Sequence, residues 1–225
     1  MKRGWFLIAV FLVIIAGAGA VALQHDLRGI TGDNWKQESM TYLPRGDLIK
    51  PWLLGFETTV AHYLWIKTVL YFGGHRMKDQ DYRWLIDMID AISRLCPWFY
   101  PAYEFAAVIV PDVTDNPEAA RIILERGLGT LGAKKWNIAF HLGVLYLKYY
   151  DDRKTAAQYI SRAALTPGAP RLKLASMAST FFNQAGSADD GLRLLMFAYE
   201  TTDNPDVRRH LAEKIRTLRD GSSAR

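Results

Sequence analysis

The sequence predicts an all-α fold: an N-terminal apolar helix, then about four helix pairs in series, then a closing helix. Three observations carry this. The 19 residues from Trp5 to Leu23 include no charge, and at 1.5 Å per residue they form a helix of about 28 Å, enough to cross a hydrocarbon core. A spaced apolar pattern recurs from Leu85, Ala120, Ala156 and Gly191, at intervals of 35, 36 and 35 residues, as equal units in an array require. Proline falls between the helical blocks (Pro97, Pro101, Pro111, Pro117, Pro167, Pro170, Pro205) and β-branched alternation is scarce, which favours helices throughout.

The N-terminal run follows Lys2 and Arg3, so the positive-inside rule places that end in the cytoplasm and exports the rest, to the periplasm if the source is bacterial. The expectation is a single-pass anchor in the inner (plasma) membrane, residues 1–23. A cleaved signal peptide ending at Ala20-Val21-Ala22 is the alternative, and it exports the same residues. Ala16 and Ala20 form a small-xxx-small pair suited to packing against another membrane helix. Residues 24–54 carry Gly29, Gly32, Asp33, Asn34, Pro44 and Gly46 without a sustained period and read as a connector. Residues 55–225 read as the helical domain.

Within that domain, each anchor helix follows another amphipathic block. Leu142-Gly143-x2-Tyr146 precedes Ala156-x3-Ile160-x2-Ala163-x3-Pro167, and Met177-Ala178-x2-Phe181 precedes Gly191-x3-Leu195-x2-Ala198. A small residue followed three positions later by a large one lets a partner backbone approach while the ring fills the adjoining gap. Asn204-Pro205-Asp206 followed by Val207, Leu211, Ile215 and Leu218 supplies a closing helix with charges between its apolar positions.

Across about residues 58–220 these motifs resemble the tetratricopeptide repeat (TPR) superfamily, whose two-helix unit carries W…LG..Y on the first helix and A…F..A….P on the second. Leu142, Gly143, Tyr146, Ala156, Ile160, Ala163 and Pro167 match best. The block from Tyr42 to Tyr71 also resembles membrane-anchored bacterial repeat proteins. The TPR resemblance implies an α-solenoid with a concave face lined by the first helix of each pair, and a role in protein interaction. By that register Tyr100, Tyr103, Asn137, Phe140, Lys148, Phe182 and Asn183 face inward as partner-binding candidates.

Catalytic chemistry finds little support in the residues. Gly127-Leu128-Gly129-Thr130-Leu131-Gly132 spells G-x-G-x-x-G, but it follows a helical block where a dinucleotide site needs a strand. The five histidines are scattered, and one cysteine excludes both a disulfide and a four-thiolate cluster. Cys96, beside Pro97, reads as a buried hydrophobe. The acidic pairs Asp87/Asp90, Asp112/Asp115, Asp151/Asp152 and Asp189/Asp190 recur near turns and read as helix caps. No enzyme and no cofactor or metal is expected; an exported enzyme with an unrecognised site is the alternative.

The net charge is +5 and the mean hydropathy −0.05. That balance averages an apolar start, an aromatic middle and a basic end. Fifteen of the 28 aromatic residues lie between Trp35 and Phe105, as core rings or as a surface for a bilayer or membrane subunit. The basic C-terminal stretch reads as a solvated helix face, and nucleic acid is not expected for an exported chain. The expected partners are other proteins, subunits of a membrane complex, with residues 5–23 in the lipid bilayer. The expected role is scaffold, assembly factor or accessory subunit.

Overall fold

Small residues at fixed register draw the helices together in chain order. The computed structural model describes residues 45–222, and among these there are eleven α-helices and no strand. They are α1 (Gly46–Ile49), α2 (Glu57–Arg76), α3 (Leu85–Leu95), α4 (Tyr100–Val108), α5 (Val110–Thr114), α6 (Pro117–Leu131), α7 (Trp136–Tyr149), α8 (Arg153–Leu165), α9 (Arg171–Gln184), α10 (Ala188–Glu200) and α11 (Pro205–Ser222), with a 3-10 turn at Lys50–Leu53 between α1 and α2. Helices α2 and α3, α4–α5 and α6, α7 and α8, and α9 and α10 form four successive pairs, and α11 packs on α10 and α9. Residues 5–23, and with them Ala16 and Ala20, lie outside the described residues. Among the described residues no helix is long and apolar enough to cross a membrane.

Six of the helix starts have a local cause in a proline, a capping side chain or first-turn carboxylates. Pro101, Pro111 and Pro117 occupy the first two positions of α4, α5 and α6, where a missing N–H costs nothing. Pro111 also divides the first helix of the second pair into α4 and α5, because it cannot donate back into the preceding turn. Asn116 Oδ1 accepts from the Ala119 amide at 3.0 Å, and Asn204 Oδ1 from the Asp206 amide at 3.0 Å. Asp152 Oδ1 accepts from the Thr155 amide at 2.9 Å, which bears out the cap expected there. Asp189 and Asp190 lie inside the first turn of α10, where they complement the helix dipole.

The pairs close where one partner lacks bulk. A Cβ on Gly143 of α7 would sit 2.5 Å from the Ile160 side chain and 3.0 Å from the Ala156 carbonyl oxygen of α8. A Cβ on Gly191 of α10 would sit 3.0 Å from the Ser179 carbonyl oxygen and 3.3 Å from Phe182 Cβ of α9. The small–large motif on α9 is therefore Ser179-x2-Phe182, one residue later than the expected Ala178-x2-Phe181. This shift takes Phe182 out of the expected binding face, since the ring that fills the helix contact is buried.

Tyr103 requires the same correction. It is fully buried, and a Cβ on Gly127 of α6 would lie 2.5 Å from its ring. Its hydroxyl donates to the Pro97 carbonyl at 3.0 Å, and burial pushes its pKa up to about 12. Gly127 and Gly129 lie within α6 and Gly132 ends it, so these glycines belong to a helix contact and a helix end.

A second correction concerns Asp90, expected as a cap. It bridges helices instead: Asp90 Oδ2 accepts from Arg94 Nε at 2.7 Å on α3, and Oδ1 from Arg126 at 2.8 Å on α6. Arg94 also pairs with Asp47 of α1, and Gly46 packs against the Ala91 carbonyl oxygen. The helical unit thus takes in α1 and begins before the expected boundary at residue 55.

Two measurements test this packing. Tyr103→Ala is expected to cost about 3–5 kcal/mol in chemical denaturation, and Tyr103→Phe about 1 kcal/mol. Burial raises the Asp90 pKa, but hydrogen bonds from Arg94 and Arg126 outweigh it and hold the carboxyl below its usual range. Its contribution is therefore complete above the unfolded value of about 3.9 and lost as pH falls through the lower folded value. Asp90→Asn is expected to flatten that acid limb of the stability curve.

Candidate functional site

Helix α2 reads ETTVAHYLWIKTVLYFGGHR and is apolar on nearly every side. Such a helix is normally covered all round, but α2 opens the described array and is covered on one side only. That side seats Ala61, Leu64 and Thr68, the last donating to the Leu64 carbonyl at 2.7 Å. Beside them Trp65 meets Phe99 and Phe105 edge-on at 5.4 and 5.5 Å, and Phe72 meets Phe105 at 5.3 Å. These rings lock α2 onto the loop before α4 and onto α4 itself. The opposite side presents Tyr63, Ile66, Val69 and Leu70, with Ile66 at 58% and Leu70 at 66% exposure. Trp52, Leu54, Phe56 and Met77, all exposed, extend this surface past both helix ends.

The other end of the array differs. The outer side of α11 carries Arg208, Arg209, Glu213 and Arg216, all exposed, over a buried Leu211. An array needs polar terminal units to stay soluble. The C-terminal end meets that requirement, whereas the outer face of α2 does not.

Five of the candidates inferred from repeat register lie on the neighbouring helices α4 and α7: the buried Tyr103, with Tyr100, Asn137, Phe140 and Lys148. Tyr100 donates to Glu104 at 3.3 Å and lies under Lys135, whose Nζ is 5.2 Å from the ring centroid. Burial, with Glu104 beside it, pushes the Tyr100 pKa up to about 12. Asn137 and Phe140 are half-buried on α7, and Phe140 meets Trp136 at 5.9 Å and His141 at 5.8 Å. Burial lowers the His141 pKa against the opposing pull of Glu104.

Lys148 stands at the far end of α7 in an ion pair with Asp112 at 2.6 Å, beside a Tyr149 hydroxyl that also donates to Asp112. Asp112 is thus a bridge between α5 and α7, not the cap expected for it. Asn183 is exposed near the end of α9, where its carbonyl accepts from the Gly186 amide at 3.1 Å. Cys96 was expected to be packed away. It is half-buried, and His62 is exposed, with its ring 4.9 Å from Phe99.

Two open depressions accompany these surfaces. One of about 700 Å³ is lined by Thr166, Pro170, Arg171, Lys173, Ser176 and Thr202. The other, of about 430 Å³, lies among Phe72, Arg76, Tyr82, Val108 and Asp112. Among the described residues no group of three His, Cys, Asp or Glu side chains is placed to hold a metal ion.

Repeat register did not point to Ile66, Val69 and Leu70. The amphipathic block expected before every anchor helix is missing before Leu85: residues 57–76 have no such pattern, and that absence was the signal for them. Comparison with known proteins finds no matching family model, no similar curated protein and no similar solved structure.

If this face is a true surface, Ile66→Asp and Leu70→Asp are expected to change unfolding stability by no more than about 0.5 kcal/mol each. Leu64→Asp, on the covered side of the same helix, is expected to abolish the cooperative transition, since it buries an unpaired charge.

Proposed function

We propose that this chain is a membrane-anchored, TPR-like protein-interaction module acting as an accessory subunit, scaffold or assembly factor of a larger membrane complex. One observation carries the reading: the uncovered apolar face of α2, with Trp52, Phe56, Tyr63, Ile66 and Leu70 exposed together. Water penalises such a face, and a partner that covers it recovers the hydrophobic term. Aromatic and aliphatic residues concentrated at a patch centre are what partner-binding surfaces carry.

The TPR-like part of the reading is supported by Gly143, Ala156 and Ile160, three of the motif-matching residues, which come together where α7 packs on α8. The anchor is residues 5–23 in a plasma (inner) membrane, with the helical domain on the exported side. The partners are proteins. A second reading rests on α4 and α7, where Tyr100 lies beside Glu104 and Lys135, and Asn137 and Phe140 are half-buried. There the Tyr100 hydroxyl already donates to Glu104 and its ring already carries Lys135.

Recovery of the full chain from membranes in a mild detergent distinguishes the two readings. Ile66→Asp with Leu70→Asp is expected to reduce a stoichiometric partner at least tenfold, and Phe140→Ala to leave it in place. Undiminished recovery with the aspartate pair would remove α2 as the docking face. Loss with Phe140→Ala alone would move the site to α4–α7.

A further inference from the structure

The exposed residues of α2 are not a random scatter. Among them and the two capping residues, Phe56, Thr59, Tyr63, Ile66, Leu70, Gly73 and Met77 are all exposed and alternate at spacings of three and four, with Thr58, His62, Val69 and Arg76 exposed beside them. This is a heptad seam three repeats long, about 31 Å along the helix. Phe56, Tyr63, Leu70 and Met77 hold one heptad position, and Thr59, Ile66 and Gly73 the other. We infer that this seam pairs, as a two-stranded coiled coil, with an apolar helix of a different protein that carries acidic residues beside its own seam. The inference rests on the reading of α2 as the docking face and names the chemistry of what docks there.

Gly73 carries part of the argument. It lies inside α2, where glycine weakens a helix by roughly 0.5–1 kcal/mol relative to alanine. Nothing lies within 4 Å of where its Cβ would be, so the packing of the described residues gives no reason for it. A partner helix does give one: a missing side chain on the seam admits the partner's knob and brings the backbones close, as Gly143 does inside the array. A bilayer surface gains nothing from that gap. The stripe is also regular at 3.5 residues, which a flat apolar surface does not require.

The flanks fix the charge of the partner. The positions beside the seam are Val60, His62, Lys67, Val69, Gly74 and Arg76, basic or apolar and never acidic. Flanking residues set the choice of partner in paired helices. A second copy of this chain would bring like charge to like charge, Lys67 and Arg76 among them. A helix flanked by Asp or Glu would complement them.

The test uses the full chain in detergent micelles and two labelled synthetic helices of three heptads. Both have Leu and Ile at their seam; one has Glu and the other Lys at the flanking positions. Fluorescence anisotropy at low salt, with empty micelles as the blank, is expected to show the Glu helix binding at least tenfold more tightly than the Lys helix. The difference should shrink in 0.5 M salt. Ile66→Asp with Leu70→Asp should abolish binding, and Gly73→Leu should weaken it at least tenfold with helix content by circular dichroism unchanged.

Equal binding of the two helices, no binding, or full binding by Gly73→Leu would each overturn the inference. So would self-association of the chain that Ile66→Asp abolishes, or quenching of a probe at position 66 by lipid-chain quenchers that the Glu helix does not relieve. If the aspartate variants lose the native partner but the two synthetic helices bind alike, only the partner's chemistry falls. If the native partner is retained, the docking face falls with it.

Discussion

Close approach between helices at glycine is the constraint on which this architecture depends. Where Gly143 meets Ile160, and where Gly191 meets Ser179 and Phe182, the space a side chain would take is filled by the opposing helix. Dispersion falls off steeply with distance, so even a small gap at these points would forfeit much of the packing gain along both helices. The first of the three sites inverts the sizes. There Gly127 faces the full ring of Tyr103, and the ring's hydroxyl is satisfied by a carbonyl at the end of α3. One buried tyrosine thus joins α4 to α6 and both to the turn after α3.

A chain of such contacts is nearly one-dimensional. Each pair buries faces against its neighbours, with Val108, Ile122, Leu165 and Phe197 left exposed along the way, and the two end helices have a neighbour on one side only. At the C-terminal end α11 has arginines outside and Leu211 inside. At α2 the outside is as apolar as the inside. The same feature that would make α2 a good interior helix leaves it with an uncovered apolar face at the edge. The ion pairs do different work. Asp90 with Arg126, and Asp112 with Lys148, tie helices from separate pairs, so they fix how consecutive pairs are arranged more than how strongly each one holds.

Much of this was legible in the residues. The interval of 35 or 36 places the second helix of every pair, because helix, turn and helix of fixed length must repeat if each unit is to meet its neighbour alike. The closing helix was legible from Asn204-Pro205 and the apolar spacing after it. Binding residues were less so. Tyr103 and Phe182 were assigned inward-facing positions, but one carries a ring that a facing glycine accommodates, and the other sits one residue away from the assumed register. Helical rotation of 100° per residue turns that small slip into the difference between a surface and a core.

The sequence by itself determined the helical pairs and their order, though not α1 or the break between α4 and α5, because caps, prolines and apolar period act over a few residues. It also fixed where bulk is absent, at Gly127, Gly143 and Gly191. Only the tertiary structure decided which faces those helices spend on one another. Asp90 became a bridge and not a cap because Arg126, 36 residues away in sequence, comes within 2.8 Å. Ile66 and Leu70 remained outside because the fold covers one side of α2. Apolar character states what water disfavours, and it does so at each residue separately. Whether that preference is met depends on a second surface at the right distance, which only the packed array supplies.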